Sequence, residues 1–195
     1  MRITLLAVVI AAAGLTHTLA PAVQARQAPP VYRIDPARSV AQFTVTKLGF
    51  EDVVGTFRES WGGIRWLASA PEAGYIRWRV KVASVATDAA NRDRTLQSTE
   101  YFDAARHPEL IFESTSVRAL DRSRLEVRGR LTMRGVTRQQ TVVVRHSGPA
   151  TAPVFETDFD VDRYNFGITG GRVMGRLIGR TVRIHLRAVT VEETL

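Results

Sequence analysis

The chain has 195 residues, of which 45% are apolar and 24% are charged, and its formal net charge is +8 at pH 7. The length suits a single domain, and the composition supplies a hydrophobic core, which excludes an intrinsically disordered chain. The sequence contains no cysteine, which excludes disulfides, thiolate metal sites and a cysteine nucleophile. The excess of arginine suits a nucleic acid or an anionic membrane surface, and the cellular compartment decides which of the two is within reach.

Residues 1–25 have the layout of a secretory signal. A short positive start is followed by an apolar run from Ile3 to Leu15, and Val23-Gln24-Ala25 fits a small-x-small cleavage site. The apolar run is too short to span a bilayer comfortably, and a retained N-terminal anchor is the alternative. We therefore expect an exported, periplasmic protein that does not meet chromosomal nucleic acid.

Period-2 alternation of apolar and polar residues predicts β-strands along most of the remaining chain. The clearest runs are Ser39–Thr46, Gly74–Val82, Leu125–Thr132, Phe155–Val161 and Thr181–Val189. Each run has one apolar and one polar face, so antiparallel strands of this kind either stack as two sheets or close as a barrel. The alternation itself does not choose between these architectures.

Helical patterns are sparse in this sequence. The stretch Asp88–Asp103 is the best candidate for a helix, and His107-Pro108 ends it, because the residue before a proline avoids helical backbone angles. A second short helical turn is expected near Glu51.

In residues 74–82, GYIRWRVKV, either the basic face or the apolar face of the strand could carry the function. Arg77, Arg79 and Lys81 share one face of this strand, and Trp78 lies on the other. Basic side chains spread over several strands are more typical of a soluble surface than of a nucleic-acid groove, which also requires exposed aromatic residues. We therefore expect the apolar face to carry the function and the basic face to aid solubility and approach to anionic membranes.

The order and spacing of several short motifs resemble the YceI-like family of exported bacterial proteins, also described as polyisoprenoid-binding or lipid-binding YceI-like domains. The matching segments span nearly all of the chain that follows the predicted signal. They are Tyr32-Arg33-Ile34-Asp35, Ser39 to Phe43, Gly55-Thr56-Phe57, Leu96 to Ser114, Leu131 to Thr137, and Arg163 to Ile168.

The resemblance implies an all-β fold, a lipocalin-like antiparallel β-barrel of about eight strands with one or two short helices. It implies a linker over residues 26–31 and one lipid-binding domain over residues 32–195. It also implies that the apolar interior holds an isoprenoid chain, such as that of a quinone or a polyprenyl lipid, for transport or storage without catalysis. Apart from this lipid no cofactor is expected, and the protein is expected to be a monomer or a homodimer with at most transient membrane contact.

The inward-facing residues of the strands are the candidate ligand contacts, although in most β domains such residues simply fill the core. The predicted lining residues are Phe43, Val45, Trp78, Val80, Phe112, Leu131, Phe159 and Ile184. Arg163, Asn165 and Arg172 are candidates for contact with a headgroup at the mouth of the barrel. The glycine-rich stretch from Thr169 to Arg180 is either a flexible hairpin loop or a lid over that mouth.

Motifs for other kinds of site are missing. His107, His146 and His185 stand apart without metal-ligand spacing, so no metal site is predicted. Asp158 and Asp160 share one strand face and are expected to be solvated charges. Two alternatives stay open: an enzyme acting on a small apolar or quinone-like substrate in the same cavity, and a stress-related module that binds another protein.

Overall fold

The computed structural model describes residues 29–172 and 174–193. The predicted secretory signal at residues 1–25 and the first part of the predicted linker lie outside the described residues. Within the described part of the chain, no helix is long and apolar enough to cross a membrane.

Eleven strands and two short helices form the described chain. The strands are β1 (Val31–Ile34), β2 (Val40–Lys47), β3 (Glu51–Phe57), β4 (Ser60–Arg65), β5 (Tyr75–Lys81), β6 (Val85–Ala86), β7 (Glu109–Ala119), β8 (Arg124–Met133), β9 (Val136–Ser147), β10 (Val154–Asp162) and β11 (Ile178–Glu192). The helices are α1 (Ala90–Gln97) and α2 (Met174–Leu177). Single 3-10 turns occur at Pro71–Ala73, Val82–Ser84 and Arg163–Phe166.

Eight of these strands close into an antiparallel barrel. The order around the ring is β1, β4, β5, β7, β8, β9, β10 and β11, and β1 closes it by pairing with both β4 and β11. Tyr32 stands opposite Ile64 on one side and Glu192 on the other. The expected barrel of about eight strands is confirmed, and the two-sheet alternative is excluded.

β11 pairs with β10 along one edge, and its length lets it pair with two strands along the other. Its last residues pair with β1, and the stretch from Ile178 to Arg187 pairs with β2. β6 follows β5 after one 3-10 turn and pairs with β3, so β2 and β3 take the places of β1 and β4 in the barrel wall. They do so at the end of the barrel at which β8 turns into β9, called here the upper end.

The helical predictions needed correction. The predicted helix over Asp88–Asp103 is reduced to the eight residues of α1, because its flanks are set by turns: Asp88 has a left-handed φ of 60°, and the N–H of Asp103 donates to the Ser98 carbonyl (2.9 Å). Glu51 does not begin a helical turn. It opens β3 opposite Lys47, with which it forms an ion pair of 3.2 Å.

The lower half of the barrel is closely packed around a void of about 40 Å³ that Ile64, Val127 and Phe155 help to line. Ile34, Ile64, Leu125 and Val127 are each at most 1% exposed and belong to one apolar cluster. At the lower end, the ring of Trp66 lies 4.9 Å from that of His146 and 5.6 Å from that of Phe155, and the Tyr32 hydroxyl donates to the Ala150 carbonyl (2.6 Å). Space for a ligand must therefore be sought in the upper half.

Candidate functional site: an apolar cavity at the upper end

A cavity of about 350 Å³ lies in the upper half, enclosed by β2 and β3 together with β7, β8, β10 and β11. Small-molecule sites typically occupy about 300–1,000 Å³, so the cavity has the size of a ligand pocket. Most of its wall is aliphatic or aromatic, and the strands contribute Phe43, Val45, Val53, Val161, Val182 and Ile184. An apolar wall of this kind favours hydrocarbon over water.

Two smaller cavities continue from it down the barrel axis. The first, of about 60 Å³, shares Leu110, Met133 and Ile184 with the large cavity, and the second measures about 40 Å³. Trp78, Phe112 and Phe159 line both of the smaller cavities. Their rings therefore separate pockets that would otherwise form one tunnel.

The indole of Trp78 carries a polar group into this apolar region. Its Nε1 is buried and has no hydrogen-bond partner among the described residues. A buried donor without a partner costs roughly 1–3 kcal/mol, so a ligand or water oxygen beside Nε1 would be favoured there.

The opening of the large cavity can be located from the exposure of its lining residues. Thr95 of α1 and Met174 of α2 are the described lining residues that are themselves exposed. The cavity therefore reaches solvent between the two helices. Lys47 and Arg92 also line it near this opening, and Arg92 is held there because its Nε donates to the Thr87 hydroxyl (2.8 Å).

The segment that follows α1 covers part of the cavity. Leu96, Tyr101 and Phe102 all line it, and burial raises the pKa of the Tyr101 phenol above its usual value of 10.0. Tyr101 is therefore neutral at ordinary pH. Among the described lining residues there is neither a histidine nor a carboxylate.

The second covering segment runs from Gly167 to Leu177 and is tied to the first. The N–H of Gly170 donates to the Glu100 carbonyl (3.2 Å). Arg134, in the turn between β8 and β9, bridges both segments, since its guanidinium donates to the carbonyl of Thr99 (2.5 Å) and to that of Gly167. The glycine-rich stretch is thus not a free hairpin loop but part of the roof of the cavity.

The side chain that fixes this roof is Arg163. It is only 4% exposed, and each of its five N–H groups donates to a main-chain carbonyl. The acceptors are Gly179 (2.8 Å), Ile168 (2.7 Å), Thr169 (2.8 Å), Gly175 (2.7 Å) and Ile178 (2.8 Å). Arg163 lines the large cavity as well, with all of its N–H groups committed to the loop, and its contact with a ligand headgroup stays a prediction.

Two glycines make room for rings of the wall. A Cβ at Gly55 would lie 2.2 Å from Cζ of Phe43, and a Cβ at Gly129 would lie 2.5 Å from Cζ of Phe112. Any larger residue at these positions would push the ring or the strand aside.

On the outer face of β10 and β11, one group of described side chains could converge on a metal ion: Glu156, Asp158 and His185. His185 Nδ1 lies 2.8 Å from Asp158. Arg145 lies 3.1 Å from Asp158 and 3.5 Å from Glu156. The guanidinium of Arg145 already compensates both carboxylates, so the arrangement is an ion-pair network on a solvent-facing wall.

The basic row of β5 is neutralised in the same way. Arg77 pairs with Glu113 (3.0 Å) and Arg79 with Glu109 (3.5 Å), both from β7. Lys81 pairs with Glu59 at 2.9 Å. The opposite face of β5 places Trp78 inside the barrel, as the alternation predicted.

Comparison with known proteins identifies the family of this chain. The sequence profile of the YceI-like domain matches residues 32–190. The chain belongs to the YceI-like family. A UPF0312 protein from Azotobacter vinelandii is 31% identical over 144 residues, covering 74% of this chain and 75% of that protein. A UPF0312 protein from Pseudomonas savastanoi is 32% identical over the same length and coverage.

Solved structures share the fold of this YceI-like chain. Burkholderia cenocepacia BcnA superposes with a TM-score of 0.76 at 19% identity, covering 80% of this chain and 98% of BcnA. The Campylobacter jejuni YceI protein gives 0.67 at 21% identity, covering 77% and 90%. A polyisoprenoid binding domain from Saccharophagus degradans gives 0.66 at 15% identity, covering 83% and 98%.

All eight lining residues predicted from sequence face the interior of the YceI-like barrel. Phe43, Val45 and Ile184 line the large cavity. The other five line the smaller cavities: Trp78, Val80, Phe112, Leu131 and Phe159. Their contact with a lipid stays a prediction.

The predicted headgroup residues lie apart from one another. Asn165 and Arg172 are exposed and do not line the described cavities, whereas Arg163 is buried and lines the large one. Sequence reasoning missed Ile168 and Met174 as parts of the wall. For Ile168, the available signal was its place at the end of the segment Arg163 to Ile168, which resembles the family.

Proposed function

We propose that this protein binds an isoprenoid-type lipid, a polyprenyl lipid or a prenyl quinone, in the upper cavity and carries or stores it in the periplasm without chemical change. The observation that carries the proposal is the 350 Å³ apolar cavity with its opening between α1 and α2. The Saccharophagus degradans relative in fold, a polyisoprenoid binding domain, supports the choice of ligand class.

The energetics of the cavity suit such a ligand. Burial of apolar surface contributes about 25 cal/mol per Å², so a branched hydrocarbon chain gains affinity from its whole length without directional contacts. The unpartnered Nε1 of Trp78 lies further down the barrel. A carbonyl oxygen of a quinone could accept from it, which distinguishes a quinone from a plain hydrocarbon.

The test measures binding of a short-chain prenyl quinone to the purified mature protein by native mass spectrometry and by extraction after gel filtration. Val53 and Val54 provide a matched pair, because they are neighbours on β3 that face opposite sides: Val53 is 8% exposed and lines the cavity, and Val54 is 46% exposed. We expect Val53→Trp to fill the cavity and abolish binding, and Val54→Trp to bind as the wild type does.

Equal binding by both variants would contradict the cavity as the site. Recovery of a species with isoprene-spaced mass from protein purified out of its own periplasm would identify the natural ligand class. Release of a chemically altered quinone after incubation would instead favour an enzyme. N-terminal sequencing of the protein from fractionated cells would test export, with a start at Arg26 as the expected result.

A further inference from the structure

We propose that the rim of the cavity docks on an anionic lipid bilayer through four exposed apolar side chains, Leu48, Phe50, Met174 and Leu177, called here the rim patch. The inference rests on the proposed function, since it describes how a lipid would enter and leave the cavity. Phe50 is 80% exposed, Leu48 and Met174 are 46% exposed, and Leu177 is 39% exposed.

The four side chains form one surface although they come from two parts of the chain. Leu48 and Phe50 occupy the tight turn between β2 and β3, and Met174 and Leu177 belong to α2. The N–H of Leu48 donates to the Leu177 carbonyl (2.6 Å), which joins the turn to the helix. Leu48 also has a left-handed φ of 54°, so the turn holds its apolar side chain outward at some conformational cost.

The position of the rim patch ties it to the cavity. Met174 belongs both to the patch and to the cavity wall, and Lys47, next to Leu48, lines the cavity too. A hydrocarbon chain that leaves between α1 and α2 therefore passes directly over the patch. If the patch lies in the bilayer interface, the chain moves from lipid to protein without crossing water.

Charge argues for an anionic membrane as the occupant. Arg172 precedes α2 and Arg176 lies within it; both are exposed, and neither has a carboxylate of the described residues within 4.0 Å. The two acidic residues that directly follow Phe50 in sequence already have partners. Glu51 pairs with Lys47, and Asp52 accepts from the Thr46 hydroxyl (2.8 Å). Arginine beside protruding apolar side chains is the composition that peripheral proteins present to anionic headgroups.

A second protein is less suited to this surface. A stable protein interface buries roughly 800 Å² per partner. Four side chains, three of which are less than half exposed, cannot supply that area. A protruding turn with an aromatic residue inserts well into the disordered headgroup region of a bilayer.

The experiment is a flotation assay of the full mature protein with vesicles of phosphatidylcholine, with and without about one third phosphatidylglycerol. Wild type is expected to float with the anionic vesicles. The double variant Leu48→Ser and Phe50→Ser is expected to bind at least about tenfold more weakly. Each of Arg172→Ser and Arg176→Ser is expected to weaken binding about fivefold, and only with anionic lipid.

Leu120→Ser is the matched control, because Leu120 is 40% exposed in the turn between β7 and β8 at the lower end. Binding to vesicles by the rim-patch double variant at the wild-type level, or equal loss in Leu120→Ser, would overturn the proposal. A wild-type dimer that becomes monomeric in the double variant would overturn it in favour of a second copy.

Binding of the prenyl quinone to the same variants separates this proposal from the proposed function. Retained quinone binding with lost vesicle binding in the rim-patch double variant supports docking. If the wild type binds the quinone but does not bind vesicles, docking alone is overturned. Vesicle binding by a wild type that never takes up the quinone overturns the proposed function and leaves docking standing.

Discussion

At the scale of single residues, Arg163 is a buried charge that stabilises the fold of a loop. Its guanidinium is buried, and no carboxylate of the described residues lies within 4.0 Å. Five carbonyl dipoles take the place of a counter-ion. Because these carbonyls lie between Ile168 and Gly179, one side chain fixes the path of the roof.

We expect Arg163→Met to destabilise the protein by about 3–5 kcal/mol, because it leaves buried carbonyls without donors. Urea denaturation measures this loss, and hydrogen exchange of residues 167–177 shows whether the roof opens first. Arg180→Met is the control, since Arg180 is exposed and pairs with Asp162 at 2.6 Å. A similar loss of stability in both variants would contradict the claim that Arg163 fixes the roof of the cavity.

His146 gives the lower end a dependence on pH. Burial against Trp66 and Phe155 lowers the pKa of this imidazole below its usual value, although the Asp121 carboxylate opposes the shift. As pH falls, the unfolded chain therefore takes up the proton before the folded chain does. The contribution of His146 to stability is complete above the unfolded pKa of about 6.5 and declines below it.

The corresponding measurement is the free energy of unfolding of wild type and His146→Gln between pH 7.5 and pH 5, a range that brackets the usual histidine pKa of about 6.5. We expect the wild type to lose stability more steeply than the variant as pH falls through this range. Parallel pH profiles would mean that the imidazole titrates alike in the folded and unfolded chains.

At the scale of elements, the rings between the cavities should set the length of chain that the protein accepts. Phe112 lines both smaller cavities, and Gly129 opposite leaves space for its ring. We expect Phe112→Leu to cost about 1–2 kcal/mol of stability and to shift binding toward prenyl chains with more isoprene units, because the cavities merge. Competition between short-chain and long-chain quinones, read by native mass spectrometry, measures the shift. Phe166→Leu is the control, because Phe166 is buried at the upper end without lining the described cavities.

Strands were the most predictable elements, because alternating apolar and polar residues give a strand one apolar face, and that face must be buried away from water. The run predicted at Phe155–Val161 became β10 over Val154–Asp162, and the one predicted at Thr181–Val189 became β11 over Ile178–Glu192. Closure of the barrel did not follow from alternation, since it depends on the pairing of the short strand β1 with two distant partners. The family resemblance supplied that step.

The parts of the site that sequence could not give depend on register and on tertiary contacts. His185 stands apart in sequence, but antiparallel pairing sets it directly opposite Asp158. Arg163 was predicted at the mouth of the barrel, but nothing local in the sequence reveals that the loop folds back onto its guanidinium. Tyr101 and Met174 reach the cavity from covering segments, where no alternation marks an inward face.

At the scale of the whole molecule, the barrel combines a packed half with a hollow half. In the lower half, Leu125, Val127 and Ala188 are each at most 1% exposed. The upper half has instead a cavity under a roof that is held by turns and by two arginines. Rigidity and ligand access are therefore placed at opposite ends of the same strands.

This division predicts a graded pattern of hydrogen exchange in the ligand-free protein. Amides around Leu125 and Val127 of β8 should exchange only on global unfolding, because both residues are at most 1% exposed within the apolar cluster of the lower half. Amides of residues 98–106, 167–172 and 174–177 should exchange through local opening, since these residues form turns and one short helix above a cavity. Saturation with a prenyl quinone should slow exchange in these segments, and ligand at about 100 times its dissociation constant should add roughly 2.7 kcal/mol to global stability. Val53→Trp is expected to show neither change. Uniform slowing over the whole barrel, or slowing at the lower end first, would place the ligand elsewhere than beneath the roof.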